Sequence, residues 1–114
     1  MTDFELNKAI ARALYPEAKI HLDKGENCAV FIKNPNGSDL PWIQVKDYCN
    51  NWNDLMPLVV EYRLCLSNLY DPTDWAAIKT DEKGYQKIVE INKNPQRALA
   101  ECLYKVLQAK AEKE

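Results

Sequence analysis

The segment from Asn94 to Leu107 constrains the fold of this chain more than any other part of the sequence. Asn94 is a residue type that caps helices, and Pro95 stands at the first helical position, where a helix tolerates its missing N–H. Apolar residues then recur at the helical intervals i, i+3, i+4, i+7 and i+8: Leu99, Cys102, Leu103, Val106 and Leu107. The stretch therefore predicts an amphipathic helix whose apolar face must be buried against another surface.

Two further helices are predicted upstream. Thr2 and Glu5 form a capping box, apolar residues follow at helical spacing, and Pro16 ends this first helix. The second helix is predicted to begin at Asn53, because asparagine is a good N-cap and Asp54 beside it suits the positive end of the helix dipole. All three helices need a partner surface, and a sheet is the largest one that the rest of the chain can supply.

Strands are predicted between the helices from alternating or β-branched runs. They cover Ile20–Leu22, Cys28–Ile32, Leu64–Tyr70, Trp75–Lys79 and Tyr85–Ile91. Short polar turns separate the last three strands, which indicates an antiparallel meander. The element order is α-β-β-α-β-β-β-α, and no linker or repeat divides residues 1–114. The sequence therefore predicts one α+β domain with a charged, frayed tail from about residue 110.

Composition limits the functions that this chain can have. Its 114 residues are 46% hydrophobic and carry a net charge of −2, with both signs mixed along the chain. A nucleic-acid binder usually has a basic face, so this balance argues mildly against such a partner, although a small local patch is compatible with it. The longest apolar run is too short for a membrane span, and the N-terminus lacks the features of a secretory signal. We expect a reducing cytoplasm and no membrane.

The cysteines are spread one to an element, without a C-x-x-C pair: Cys28, Cys49, Cys65 and Cys102. Zinc sites usually draw their ligands from clustered pairs, and disulfides need a secreted context. We therefore interpret these residues as free, mostly buried thiols. We expect no metal and no cofactor.

Two helical stretches carry a family resemblance. They are NNWNDLMPLVVEY at residues 50–62 and NKNPQRALAECL at residues 92–103. Both resemble the phage ABA-sandwich domain family, a group of uncharacterised small proteins of temperate enterobacterial phages and prophages. The resemblance implies a three-layer α-β-α sandwich, which agrees with a largely antiparallel sheet of about five strands. It also implies a phage origin, and we therefore expect the protein in the host bacterial cytoplasm. It brings no functional residue with it. The chain departs from the expected pattern at Arg63, where a glycine would more naturally end the preceding helix.

Residues 33–52 show no clean period, so they form either a functional loop or an edge strand around residues 42–45. Trp and Tyr dominate the hot spots of protein interfaces, which makes Trp42 and Tyr48 candidates for partner binding. With the resemblance and no visible catalytic set, this favours a phage accessory protein that is an interaction module and not an enzyme. Its partner would be an unidentified host or phage protein, and a homodimer is also open.

Two alternatives rest on other residues. A local basic patch around the last hairpin and the start of the final helix would bind nucleic acid through Lys79, Lys83, Lys87, Lys93 and Arg97. A two-residue turn at residues 24–25 would place His21 directly opposite Cys28, and a thiol beside an imidazole can act as a nucleophile. No orienting third group or oxyanion-hole motif accompanies this pair.

Overall fold

The computed structural model describes residues 2–16, 20–22, 30–32, 44–71 and 73–113. The helices are α1 (Asp3–Leu14), α2 (Trp52–Glu61) and α3 (Pro95–Lys113). The strands are β1 (Ile20–Leu22), β2 (Val30–Ile32), β3 (Gln44–Lys46), β4 (Cys65–Asp71), β5 (Asp74–Thr80) and β6 (Gln86–Asn92). The predicted α+β class and its three helices are confirmed. The described residues form six strands, against about five predicted, because β3 lies in the segment that has no clean period.

Side-chain caps set the starts of the first and last helices. Thr2 Oγ1 accepts a hydrogen bond from the Glu5 N–H at 3.1 Å, and Asn94 Oδ1 accepts one from the Gln96 N–H at 2.9 Å. Both helices therefore begin where the sequence predicts. The last helix continues to Lys113, beyond the predicted start of a frayed tail. In the ranges given above, no helix is both long enough and apolar enough to cross a membrane.

The second helix, α2, begins two residues earlier than predicted, because its N-cap is Asn51 and not Asn53. Asn51 Oδ1 accepts a hydrogen bond from the Asn53 N–H at 2.9 Å, so Asn51 is the N-cap and Trp52 is the first helical residue. Two asparagines two positions apart are equally good caps by residue type, and the sequence pattern could not choose between them.

The strands form two antiparallel three-stranded sheets, with the orders β1-β2-β3 and β4-β5-β6. In the first sheet the register pairs His21 with Phe31. In the second it pairs Ala77 with Leu66 on one side and with Glu90 on the other. The predicted meander of the last three strands is confirmed. The edge-strand alternative for residues 33–52 is confirmed at residues 44–46, where β3 pairs with β2.

The last helix is the centre of the packing. It lies across β5 and β6 and against α1, and α1 in turn contacts β1 and β2. The largest apolar side chains in this core include Leu6, Ile10, Leu55, Leu99 and Leu103. Ile88 also packs toward it, whereas Val89 and Ile91 on the opposite face of β6 are 36% and 54% exposed. The expected sandwich, with helices on both faces of one sheet, is therefore not confirmed.

Buried hydrogen bonds tie the residues before α2 to the other helices. Asn7 Nδ2 donates to Asp47 Oδ1 at 2.9 Å, and Asn7 Oδ1 accepts from the Cys49 N–H at 3.1 Å. Gln96 Nε2 donates to the Tyr48 carbonyl at 3.1 Å. These bonds satisfy polar groups that would otherwise be costly to bury. The end of the 33–52 segment is therefore part of the core.

Candidate functional site

The two predicted aromatic anchors have different outcomes. Trp42 lies outside the described residues. Tyr48 is 1% exposed and packs in the core cluster. A side chain that is this deeply buried offers no surface to a partner, so the prediction that Tyr48 binds one is corrected. The physical reason is that hydrogen bonds from the Cys49 N–H to Asn7 of α1, and from Gln96 of α3 to the Tyr48 carbonyl, hold this segment against the two helices.

The predicted thiol–imidazole pair is also corrected. The register places His21 opposite Phe31 and Leu22 opposite Val30, so residues 23–29 connect the two strands. The predicted placement of His21 directly opposite Cys28 is therefore wrong, because His21 faces Phe31. Cys28 itself lies outside the described residues.

The remaining thiols are free, as predicted, but they differ in exposure. Cys49 and Cys102 are buried, and Cys65 is exposed. Burial raises the pKa of the Cys102 thiol to about 12, so this side chain is neutral and a poor nucleophile. Across the part of the chain that the structure describes, no group of three or more His, Cys, Asp or Glu side chains is placed to hold a metal ion.

Two of the five predicted basic residues lie away from the others. Lys93 follows the far end of β6, roughly 20 Å along the strand from Lys87. Arg97 forms ion pairs with Asp3 and with Glu101, the latter at 2.9 Å. Its charge is therefore engaged at the start of α3, and it does not join the rest of the patch.

The other three basic residues converge on one concave surface. A cavity of about 660 Å³ lies between the end of α2 and the β5–β6 turn, and it is lined by Arg63, Lys79, Thr80, Asp81, Glu82, Lys83 and Lys87. A smaller cavity of about 200 Å³ shares Lys79 and Lys87 with it and adds Lys110. We call these two cavities together the basic groove. Four cations stand against two carboxylates in the larger cavity, so its charge is positive.

Arg63 enters the basic groove from a strained backbone position. The Leu64 N–H donates to the Val59 carbonyl at 2.9 Å and the Arg63 N–H donates to the Val60 carbonyl at 3.2 Å, which closes α2 with a left-handed residue. That residue is Arg63, with φ 55°, and no other non-glycine residue in the described ranges has a positive φ. Such a conformation costs a residue with a Cβ about 1 kcal/mol.

Lys79 joins the two walls of the groove. Its Nζ donates to the Tyr62 carbonyl at 2.7 Å, and Lys110 Nζ lies 5.8 Å from the centroid of the Tyr62 ring. A helix C-terminus carries partial negative charge, and α2 has no basic residue in its last turn. These contacts give Lys79 and Lys110 a structural role. They do not account for the position of Arg63 or Lys83.

The opposite wall is a rigid turn. Asp81 Oδ1 accepts hydrogen bonds from the N–H groups of Lys83 at 2.9 Å and Tyr85 at 3.0 Å. Gly84 supplies the positive φ of 88° that this turn requires. The Asp81 carboxylate is thus held in place by two backbone donors of its own turn.

The sequence contains only a partial signal for this groove. Lys79, Lys83 and Lys87 stand out as basic residues of one hairpin, and Arg63 stands out as a departure from the expected glycine. Lys110 gives no signal, because it falls on the predicted tail. Its contribution depends on the length of α3, which brings it beside Tyr62.

Comparisons with protein-family models, with curated proteins and with solved structures found no match. The basic groove is therefore interpreted from its own chemistry.

Proposed function

We propose that this chain is an accessory binding protein whose basic groove holds the phosphate backbone of a nucleic acid. The larger cavity of the groove is lined by the side chains of Arg63, Lys83 and Lys87. Lys79 also lines it, and its ammonium group has two N–H donors besides the one that bonds to the Tyr62 carbonyl. Guanidinium and ammonium groups on a concave surface are the usual means of neutralising successive phosphates.

The observation that carries the proposal is the backbone of Arg63. A left-handed residue that closes a helix is normally glycine. Backbone strain at a non-glycine residue is found most often at functional sites. The Arg63 side chain is exposed, and within the described ranges it has no ion-pair partner. Two backbone hydrogen bonds at the end of α2 hold the strained φ, and they leave the exposed guanidinium available to an external anion.

The net charge of −2 is compatible with this function. Charges on a solvated surface act over a Debye length of about 10 Å at 0.1 M salt, so a partner in the groove responds mainly to the local cations. Carboxylates elsewhere on the chain weaken the long-range attraction and do not occupy the groove. We therefore expect moderate affinity with a clear dependence on salt.

The decisive experiment separates stability from binding at Arg63. Replacing Arg63→Gly removes both the backbone strain and the guanidinium, so we expect the free energy of unfolding to rise by about 0.5–1 kcal/mol. The same change should weaken the binding of a fluorescein-labelled 15-mer of deoxythymidine by roughly threefold to tenfold. Urea titration and fluorescence anisotropy at 50 mM salt would measure the two effects on one sample.

Arg63→Lys is the matched control, because it keeps the charge and the strained backbone. It should retain most of the affinity and gain no stability. Full binding by Arg63→Gly, or no anisotropy change for the wild-type chain, would contradict the proposal. A labelled poly-glutamate peptide distinguishes an acidic protein partner, since binding of that peptide without binding of DNA would assign the groove to a protein.

A protein-binding role for a phage accessory protein in the host cytoplasm stays a prediction. Its remaining predicted anchor is Trp42, and capture of a partner from enteric bacterial lysate should be lost on Trp42→Ala. The face of β4–β6 that carries Val89 and Ile91 is a smaller candidate, since three strands about 23 Å long and about 4.8 Å apart cover roughly 330 Å². Two copies would bury roughly 700 Å², less than the ~1,200 Å² of a stable interface.

A further inference from the structure

Tyr85 lies in the same turn as residues that line the basic groove, and most of its side chain is in solvent. It is 71% exposed, and it lies in the chain between Lys83 and Lys87, which both line the groove. A single exposed aromatic residue is ordinary on a protein surface. Proteins that bind single-stranded nucleic acids combine a basic groove with aromatic side chains on which bases stack, and Tyr85 with its neighbouring lysines has this combination.

The turn holds Tyr85 in a fixed place. The Tyr85 N–H donates to Asp81 Oδ1 at 3.0 Å, and the Tyr85 carbonyl accepts from the Asp81 N–H at 2.8 Å. Gly84 completes the turn with φ 88°. Because the backbone on which the ring stands is already ordered, contact with a flat ligand loses little further conformational entropy.

We propose that the nucleic acid bound by the basic groove is single-stranded and that an unpaired base stacks on the Tyr85 ring, an inference that rests on the proposed function. The lysines on either side of Tyr85 bind the phosphates that flank that nucleotide. A duplex keeps its bases stacked on one another and offers only phosphates to the same surface. The larger cavity, about 660 Å³, lies within the range of small-molecule pockets, about 300–1,000 Å³.

Three oligonucleotide probes test the inference by anisotropy at 50 mM salt. They are a deoxythymidine 15-mer, an abasic 15-mer with the same phosphates, and a 15-base-pair duplex. The wild-type chain should bind the deoxythymidine probe about tenfold more tightly than the abasic probe, because only the former can stack. Tyr85→Ala should remove that difference and leave the affinity for the abasic probe unchanged, whereas Tyr85→Phe, which keeps the ring, should preserve it.

Trp52→Ala is the matched control for loss of an aromatic side chain. Trp52 is 41% exposed and begins α2, about 15 Å along the helix from the groove. This variant should keep the preference for the deoxythymidine probe. The Tyr85 variants should show an unchanged urea midpoint, since the side chain that they alter lies mostly in solvent.

The outcomes separate this inference from the proposed function. Wild-type binding to all three probes with no preference for the deoxythymidine probe would overturn the stacking role and leave the groove as a phosphate site. A preference that survives Tyr85→Ala would also overturn it. Absence of binding to every probe would overturn the proposed function and the inference together.

Discussion

At the residue scale, Tyr48 combines a well-packed ring with a poorly satisfied hydroxyl. The side chain is 1% exposed, and its hydroxyl has no hydrogen-bond partner among the described residues. Burial raises the pKa of the phenol far above its ordinary value, so the group stays neutral. An unsatisfied buried hydroxyl costs about 1–3 kcal/mol. We therefore expect Tyr48→Phe to raise the free energy of unfolding by about 1 kcal/mol, measured by urea titration.

Tyr48→Ala is the contrasting variant, because it removes the ring as well. Loss of a buried aromatic side chain of this size should lower the free energy of unfolding by about 3–5 kcal/mol. The alanine variant is consequently unsuited to a binding assay, since lost partner capture would report an unfolded chain. A Tyr48→Phe variant that is clearly less stable than the wild type would show that the hydroxyl has a partner.

Pattern reasoning at this scale identifies apolar core residues and misses buried polar ones. Leu99 and Leu103 are buried, as their helical spacing predicts. Asn7 is 0% exposed, although asparagine is usually a surface residue. Its burial depends on hydrogen bonds to Asp47 and Cys49, about 40 positions along the chain. No local period carries that information, because the partners meet only in the folded chain.

At the element scale, Pro57 and Pro95 allow a comparison of a proline inside a helix with a proline at the first position of a helix. Pro57 is the sixth residue of α2, counted from Trp52, so no N–H is available there for the Asn53 carbonyl. Pro95 is the first residue of α3, where the N–H has no helical partner in any case. We expect Pro57→Ala to raise the free energy of unfolding by about 1–2 kcal/mol. Pro95→Ala should leave that energy unchanged or lower it slightly, because alanine adds freedom to the unfolded chain.

Thermal and urea unfolding of both variants would check this prediction. The contrast follows from helix bounds that the sequence leaves uncertain by two residues, since a start after Asn53 would place Pro57 in the first turn. Equal effects of the two substitutions would indicate that α2 begins later than Trp52.

Short strands are the second kind of element that the sequence does not predict reliably. β3 has three residues, which is too few to show a period, and its pairing with β2 is a tertiary event. The β1–β2 register has the same origin. The Lys24-Gly25 dipeptide suggests a tight turn that would place His21 opposite Cys28, but the register pairs His21 with Phe31. A turn-like dipeptide does not by itself determine the register of the two strands on either side of it.

At the scale of the whole molecule, the net charge does not show how the charges are distributed over the surface. A net charge of −2 argues against an anionic partner, yet the fold brings four cations and two carboxylates into one cavity. Three of those cations come from one hairpin and were open to prediction from the sequence. The fourth, Arg63, joins them in the fold, where the pairing of Cys65 with Ile78 and the bond from Lys79 to the Tyr62 carbonyl bring the end of α2 beside β5.

The buried thiols test whether the described elements unfold as one cooperative unit. Cys49 lies between β3 and α2 and is 2% exposed, whereas Cys102 lies in α3 and is 0% exposed. Since the pKa of Cys102 is raised to about 12, very little of its thiolate exists at pH 8. Alkylation of either thiol must therefore wait for the chain to unfold around it.

We expect iodoacetamide to modify Cys65 in the native chain, because this thiol is exposed. Cys49 and Cys102 should react far more slowly, at one common rate that rises steeply with urea, because both depend on the same global unfolding. Mass spectrometry of proteolytic peptides separates the sites, and Cys65→Ser controls for transfer of label between thiols. Faster labelling of Cys49 than of Cys102 at low urea would mean that residues 47–50 detach from α1 while α3 stays packed on its sheet.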